Sequence, residues 1–161
     1  MIYKSIMVPY DATEPAFAGL TEAFRFCKDN PDVELHLVTM VDVEGEAEEE
    51  LNKLSLRRHG HGITMEELTT LRDEIMQEEV LKTRTALRET LTQLPNIITI
   101  EYVETGNPGE EIITYATENN CDAIIMGSRN HGLLSSFGSV SRHVVKYSPL
   151  PVLVVKCKKK H

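Results

Sequence analysis

The sequence contains no tryptophan, few aromatic residues and no long apolar stretch. Aromatic residues make up 6% of it, and no apolar run approaches the roughly 18 residues that a membrane-spanning helix needs. Lys and Arg number 17 against 25 Asp and Glu, which gives a formal net charge of −8. Nucleic-acid binding needs a basic face that neutralises phosphates, so we expect no nucleic-acid partner. Since no apolar run is long enough to span a bilayer, we expect no membrane association either.

Cysteine is also scarce. The three residues, Cys27, Cys121 and Cys157, are odd in number and lack C-x-x-C spacing. This pattern favours free thiols of a reducing compartment over a disulfide framework or a zinc site. Residues 1–9 are too short, and are broken too early by Pro9, to form a signal peptide. We therefore expect a cytoplasmic protein.

Short apolar runs rich in Ile and Val recur along the chain and predict five strands. They cover residues 6–8, 35–43, 97–103, 123–126 and 152–155. The runs at 123–126 and 152–155 are apolar throughout, which is typical of strands covered on both faces of a parallel sheet. Helical patterns separate the runs in the order β-α-β-α-β-α-β-α-β. The sequence thus predicts a single α/β domain over residues 1–161, an open parallel five-stranded sheet with helices on both faces.

The first predicted helix begins at Pro15. Phe17, Leu20, Phe24 and Cys27 follow at helical spacing and predict its buried face.

Start signals mark the other three helices. Residues 64–67 predict a capping box, Pro108 a first helical position, and Ser139 the cap of the last helix. The stretch 44–63 is either a mobile insertion or the ragged start of the second helix, and its glycine and charge content favours the insertion. Residues 157–161 form a basic tail.

Two loops follow strands at the edge where open parallel sheets bind ligands, outside the carboxyl ends of the strands. One is 9–13; the other is 127–132, and it precedes a helix that starts at Gly138-Ser139. Glycines there allow close backbone approach, and a helix start offers N–H groups to a phosphate, to which Arg129 and His131 could add hydrogen bonds. Turning and capping alone would also account for these residues. Neither the Walker A nor the Rossmann glycine pattern is present.

Three segments together resemble the universal stress protein A family. They are Val8-Pro9-Tyr10-Asp11, Gly106-Asn107-Pro108, and the block 126–155, with Met-Gly-Ser-Arg, Gly-Ser-Val-Ser and Pro-Leu-Pro-Val-Leu-Val-Val. The resemblance covers residues 3–156. It implies the strand order 3-2-1-4-5 of an adenine nucleotide α-hydrolase-like fold. It also implies an adenine-nucleotide site and a homodimer joined through the last strand, Val152, Leu153, Val154 and Val155.

The resemblance further implies which residues bind the nucleotide. Asp11 would lie against the nucleoside and the backbone of Met40 would border the adenine, whereas Gly138, Ser139 and Ser141 would donate hydrogen bonds to phosphates. The residues expected to bind ATP, with or without Mg²⁺, are Pro9, Tyr10, Asp11, Met40, Met126, Gly127, Arg129, Asn130, Gly138, Ser139, Val140 and Ser141.

The phosphate loop departs from the family's pattern. ATP-binding members are similar to G-x2-G-x9-G-[ST], whereas this chain has Asn130 for the second glycine and a spacer two residues shorter before Gly138. Asn tolerates a positive φ, but the shorter spacer must reposition the helix start. We expect a stress-response regulatory dimer that binds ATP. A dimeric interaction module of the same fold that binds no nucleotide, and a slow ATPase, stay open as alternatives.

No catalytic or metal-binding residue is predicted. A hydrolase triad cannot be assembled from the serines, and Asp11 has no second acid–base group at informative spacing. His59 and His61 have no Cys or carboxylate at ligand spacing. Any ATP hydrolysis or autophosphorylation should therefore be slow.

Overall fold

The predicted strands all form and assemble into one sheet. The computed structural model describes residues 3–57, 64–92, 98–128 and 138–157. The strands are β1 (Ser5–Pro9), β2 (Glu34–Val41), β3 (Ile98–Glu104), β4 (Ala123–Ser128) and β5 (Val152–Lys156). They lie in the order β3-β2-β1-β4-β5, and every neighbouring pair is parallel. The predicted fold class and strand order are confirmed.

Five helices occur in the described part of the chain, one more than predicted. They are α1 (Glu14–Asp29), α2 (Val43–Arg57), α3 (Met65–Leu91), α4 (Pro108–Glu118) and α5 (Ser139–Tyr147). None of these helices combines the length and the apolar composition that crossing a bilayer requires.

The additional helix, α2, corrects the prediction of an insertion over 44–63. Its start is fixed by the Asp42 carboxylate, which accepts a hydrogen bond of 3.0 Å from the Gly45 amide. Val43 and Ala47 are buried, so packing stabilises the acidic segment as a helix. For the same reason β2 ends at Val41 rather than at Val43. Residues 58–63 lie outside the described part, as do residues 158–161 of the predicted basic tail.

Side chains of the sheet alternate between two apolar cores, one on each face. Ile6 packs with Leu20 of α1 and Leu87 of α3. Met7, the next residue of β1, packs on the opposite face with Ile112 of α4. Helices therefore cover both faces, as a parallel sheet requires.

The capping box predicted from the sequence begins α3. The Glu67 amide donates to the Thr64 hydroxyl at 3.2 Å, and the Thr64 amide donates to the Glu67 carboxylate at 2.9 Å. At α1, Leu20 and Cys27 are fully buried as predicted, but Phe17 is 48% exposed. The buried face of α1 is instead completed by small residues, which let the helix approach the sheet closely.

This close approach brings α1 against β4 through two glycines. A Cβ atom at Gly127 would lie 1.6 Å from the carbonyl oxygen of Pro15, and one at Gly19 would lie 2.6 Å from the amide nitrogen of Gly127. Both distances are far below van der Waals contact. Only glycine at both positions allows the two backbones to touch.

A polar pair is buried beneath α4. Nδ1 of His36 lies 3.1 Å from the hydroxyl of Tyr115, and its Nε2 lies 3.4 Å from the Glu34 carboxylate. Burial, with a smaller contribution from Glu101, raises the pKa of Tyr115 to about 12. The phenol therefore stays protonated at neutral pH, and both ring nitrogens of His36 have a polar partner, one of them the partly exposed carboxylate of Glu34.

The glycine contact predicts that Gly19→Ala destabilises the fold. Alanine is the better helix former by about 1 kcal/mol, so helix propensity alone would stabilise the variant. We expect the clash with the β4 backbone to dominate and to lower the free energy of unfolding by about 1–3 kcal/mol in urea denaturation. Gly106→Ala is the control, because a Cβ there meets nothing within 4 Å. Equal midpoints for the two variants would contradict the role of the contact.

Candidate functional site

A cavity of about 380 Å³ opens at the carboxyl end of the sheet. β2 and β3 lie on one side of β1, and β4 and β5 lie on the other, so strand order reverses at this position. Ligands of open α/β sheets bind at such a reversal. The cavity therefore lies where the topology of the sequence predicts a binding site.

Ten of the twelve residues predicted to bind nucleotide line this cavity. They are Pro9, Tyr10, Asp11, Met40, Met126, Gly127, Gly138, Ser139, Val140 and Ser141. The other two, Arg129 and Asn130, lie outside the described residues, as does His131. The structure thus brings the described set together in one place, and its role in binding stays a prediction.

Seven further lining residues are absent from the predicted nucleotide-binding set, although Thr13 and Ser128 lie in the predicted ligand loops 9–13 and 127–132. The seven are Thr13, Pro15, Ala16, Val38, Pro108, Ile112 and Ser128. Val38 was identifiable by strand alternation, because it shares a face of β2 with Met40. The residues of α1 and α4 carry no such signal, since helical apolar positions are explained equally well by core packing.

The loop after β1 holds the Asp11 carboxylate in place. One of its oxygens, Oδ1, accepts hydrogen bonds from the Thr13 amide at 3.0 Å and from the Thr13 hydroxyl. The same hydroxyl accepts from the Ala16 amide at 3.4 Å and so caps α1. Ala12, between Asp11 and Thr13, has a φ of 59°, a left-handed conformation that is unfavourable for a residue with a Cβ. The loop thus combines backbone strain with a fixed carboxylate, a combination that is frequent at functional sites.

Tyr10 anchors this loop to the sheet. Its amide donates a hydrogen bond of 2.9 Å to the carbonyl of Val38, and its side chain is buried. Burial, and secondly the negative charge of Asp11, raises the pKa of the Tyr10 phenol. The phenol therefore stays neutral at physiological pH, and Asp11 carries the ionised side chain of the loop.

The start of α5 forms another part of the cavity wall. Its N-cap is Gly138, which has no side chain to bond the first turn, so the prediction that Ser139 caps this helix is wrong. Ser139 is instead the first helical residue and is exposed. The first amide bonded along the helix is that of Arg142, which donates to the Gly138 carbonyl at 3.0 Å. The amides of residues 139–141 accordingly have no acceptor within the helix.

The electrostatics of the cavity are set by two opposed features. Asp11 is the one ionised side chain among the lining residues that the structure describes. The start of α5 contributes the positive end of a helix dipole and free N–H groups. Over the same described residues, no cluster of three or more His, Cys, Asp and Glu side chains is arranged to hold a metal ion.

Part of the remaining lining is apolar. Val38, Met40, Pro108 and Ile112 come from the carboxyl half of β2 and from the start of α4. These residues can contact a flat apolar group, and the α5 amides can receive an anion in the same cavity.

Comparison with known proteins identifies relatives of the whole chain. The model of the Universal stress protein family matches residues 2–156. Universal stress protein MJ0577 of Methanocaldococcus jannaschii is 29% identical to the chain, over 98% of each sequence. A solved structure of the MJ0577 protein, then described as hypothetical, matches at a TM-score of 0.71 and 27% identity, over 99% of this chain and all of that one.

Two further solved structures are complexes with nucleotides. One is a universal stress protein with cAMP, which matches at a TM-score of 0.58 and 17% identity over 98% of this chain and all of the other. The second is the universal stress protein of Archaeoglobus fulgidus with dAMP, at a TM-score of 0.52 and 22% identity over 97% of this chain and all of the other. At these identities the similarity shows a shared fold.

The double role of the Thr13 hydroxyl gives a stability prediction. Thr13→Ala removes the α1 cap and a hydrogen bond to Asp11, and loss of such a cap costs about 1 kcal/mol. We expect the melting temperature to fall by about 2–4 °C, and Thr13→Ser to restore most of it. Thr21→Ala is the matched control, because that hydroxyl bonds only the Phe17 carbonyl within α1. Equal melting temperatures for Thr13→Ala and Thr21→Ala would contradict the capping role.

Proposed function

The chain belongs to the universal stress protein family, and from this and the cavity we propose that it binds an adenine nucleotide, ATP, at the carboxyl ends of β1 and β4. The single observation that carries the proposal is the pairing of an apolar slot with an uncapped helix start in one cavity. A nucleotide has the complementary pairing of a flat base and an anionic phosphate chain.

In this proposal the base lies against the apolar lining residues. Val38 and Met40 of β2 would lie on one side of it and Ile112 of α4 on another. The backbone of Met40 would border the adenine edge. Burying the faces of a heteroaromatic ring against these side chains supplies the hydrophobic part of the affinity.

The phosphates would lie at the start of α5. α1 and α4 have N-cap side chains, Thr13 and Asn107, that accept hydrogen bonds from first-turn amides. α5 has a glycine in this position, so no N-cap side chain occupies its first-turn amides, and those of Ser139 and Val140 would donate to phosphate oxygens. Backbone approach at Gly127 brings the end of β4 to the same place.

Asp11 is suited to the ribose rather than to the phosphates. Its carboxylate would repel a phosphate but accepts hydrogen bonds from sugar hydroxyls. Mg²⁺ would accompany the triphosphate and neutralise part of its charge, because the described lining supplies no cationic side chain. The related structures in complex with cAMP and dAMP support the class of ligand, an adenine nucleotide, and not a particular orientation of it.

Titration calorimetry with ATP and Mg²⁺ tests the proposal. Asp11→Ala removes a charge-assisted hydrogen bond worth about 1.5–3 kcal/mol, so we expect ATP to bind about 10- to 100-fold more weakly. Asp32→Ala is the matched control, because it removes an exposed carboxylate that does not line the cavity. Absence of heat at millimolar ATP with folded wild-type protein would overturn the proposal and favour the interaction module.

The same variants distinguish binding of ATP without turnover from the alternative of slow ATP hydrolysis. It requires phosphate release that is lost in Asp11→Ala and retained in Asp32→Ala. Binding without measurable release supports a protein that senses the nucleotide rather than consuming it.

We further propose that two copies of the chain pair through β5. β5 is an edge strand with β4 as its one neighbour in the described sheet. Leu153 on this strand is 49% exposed, and Tyr147 at the end of the preceding helix is 56% exposed. A long apolar edge strand exposes unpaired backbone groups unless a partner covers it.

Light scattering tests the dimer. We expect wild-type protein at micromolar concentration to have twice the mass of one chain, and Leu153→Lys to have the mass of one chain. Leu81→Lys is the control, because that leucine is 67% exposed on α3. A wild-type monomer would contradict the proposal.

The proposed setting is the cytoplasm, with the nucleotide-bound dimer acting as a regulator in a stress response. The three cysteines support a reducing compartment because all are unpaired. Burial raises the pKa of the Cys27 thiol to about 11, which keeps it protonated and unreactive.

A further inference from the structure

Two buried serines join the end of β4 to the start of α5. The hydroxyl oxygens of Ser128 and Ser141 lie 3.0 Å apart, and each side chain is about 3% exposed. Both also bond the backbone of Gly138: its amide donates to the Ser128 hydroxyl at 3.1 Å, and its carbonyl accepts from the Ser141 hydroxyl at 3.1 Å. The three residues therefore form a ring of hydrogen bonds, which we call the serine ring.

Counting protons gives one orientation of the serine ring that satisfies all of its hydrogen bonds. A serine hydroxyl has one proton to donate. Ser141 gives its proton to the Gly138 carbonyl, so the bond between the two hydroxyls takes its proton from Ser128. Ser128 in turn accepts from the Gly138 amide. In this orientation the Ser141 hydroxyl gives its one proton to Gly138 and has none left for a phosphate oxygen.

The serine ring replaces the side-chain cap that α5 lacks. Capping residues hold the first turn by accepting a hydrogen bond from an amide two or three positions into the helix. The ring holds Gly138 from outside, through β4, and so fixes the helix start without occupying the amides of Ser139 and Val140. A rigid helix start with free amides is the arrangement that a preorganised anion site requires.

We propose that Ser128 and Ser141 are positioning residues, which hold the start of α5 against β4 so that its free amides receive the phosphates. This inference rests on the proposed nucleotide site. It changes the role of Ser141, whose hydroxyl the family resemblance assigns to the phosphates. It also adds Ser128, which lies in the Met-Gly-Ser-Arg motif but has no role assigned by the family resemblance.

Calorimetry on wild type, Ser128→Ala, Ser141→Ala and the double variant tests the proposal with two probes, ATP and adenosine. Loss of one neutral hydrogen bond corresponds to about a tenfold change at most. We expect each single variant to bind ATP up to about tenfold more weakly and adenosine as wild type does. The double variant should be no weaker than either single one, because any one substitution opens the ring.

Ser148→Ala is the matched control. That hydroxyl also makes two hydrogen bonds, to the backbone of Leu150, but lies at the opposite end of α5. It should leave ATP affinity unchanged. If Ser141→Ala folds poorly, Ser141→Cys replaces it, because a thiol is similar in size to the hydroxyl but forms only weak hydrogen bonds. The ATP affinity of Ser141→Cys should lie between those of wild type and Ser141→Ala.

Several results would overturn the proposal. If Ser141→Ala lowers the affinity for ATP and Ser128→Ala does not, Ser141 donates a hydrogen bond directly to a phosphate. Additive losses in the double variant, or an equal loss for adenosine, would show that the hydroxyls act separately or only through stability.

Amide hydrogen exchange without nucleotide separates a failure of this inference from a failure of the proposed function. Exchange at the Gly138 amide should become about tenfold faster or more in Ser128→Ala and stay unchanged in Ser148→Ala. If wild type binds no ATP while Gly138 shows this acceleration, the nucleotide site is overturned and the serine ring stands as a structural device. If exchange at Gly138 is unaffected, the ring is overturned whatever the ATP affinity.

Discussion

The contact between the backbones of α1 and β4 is the constraint on which the rest of the site depends. Gly127 faces the carbonyl of Pro15 at a distance that excludes even one methyl group, and Gly19 repeats the requirement one turn later. Because α1 begins directly after the Asp11 loop, fixing α1 on β4 also fixes the distance between Asp11 and the end of β4. The two walls of the cavity are thus held by a contact made entirely of backbone atoms.

The cavity follows from this contact and from the way in which α5 begins. β4 ends at Ser128, whose side chain is inside the fold and reaches Gly138 ten residues later. The loop between them is shorter than the family pattern by two residues, yet the helix start lies at the cavity. The serine ring gives a physical reason, since a buried hydrogen-bond network specifies position more narrowly than loop length does. The identity of the loop residues and the placement of the helix are therefore separate determinants of an anion site.

Much of the architecture could be predicted from the sequence because it depends on local patterns. Apolar runs identified the strands, and the Thr64–Glu67 box identified the start of α3. The helix α2 was missed because Gly45 and a run of carboxylates disfavour a helix locally, whereas burial of Val43 and Ala47 stabilises it through tertiary contacts.

The site residues also fall into those that could be predicted from the sequence and those that could not. Residues near strand ends, such as Asp11 and Gly127, could be identified because the topology places all strand ends at one edge. The pairing of Ser128 with Ser141 could not, because it depends on how a helix docks thirteen residues further along the chain. Phe17 is exposed for a related reason: helical spacing defines a face, but the sheet backbone decides which small residues make the closest contact.

Net charge is a poor guide to what this cavity can bind. Most acidic side chains of α2 are largely exposed to solvent, and at physiological ionic strength exposed charges are largely screened beyond about 8 Å. Where α2 meets α3, burial and the neighbouring carboxylate of Glu79 raise the pKa of Glu46, while Lys82 opposes the shift. The helix dipole of α5 acts within its first turn, at the distance at which a phosphate would lie. A long polyanion would meet the whole acidic surface, whereas a mononucleotide would meet only Asp11 and the α5 amides. The charge of −8 therefore disfavours binding of nucleic acid and leaves a small phosphate ligand compatible with the site.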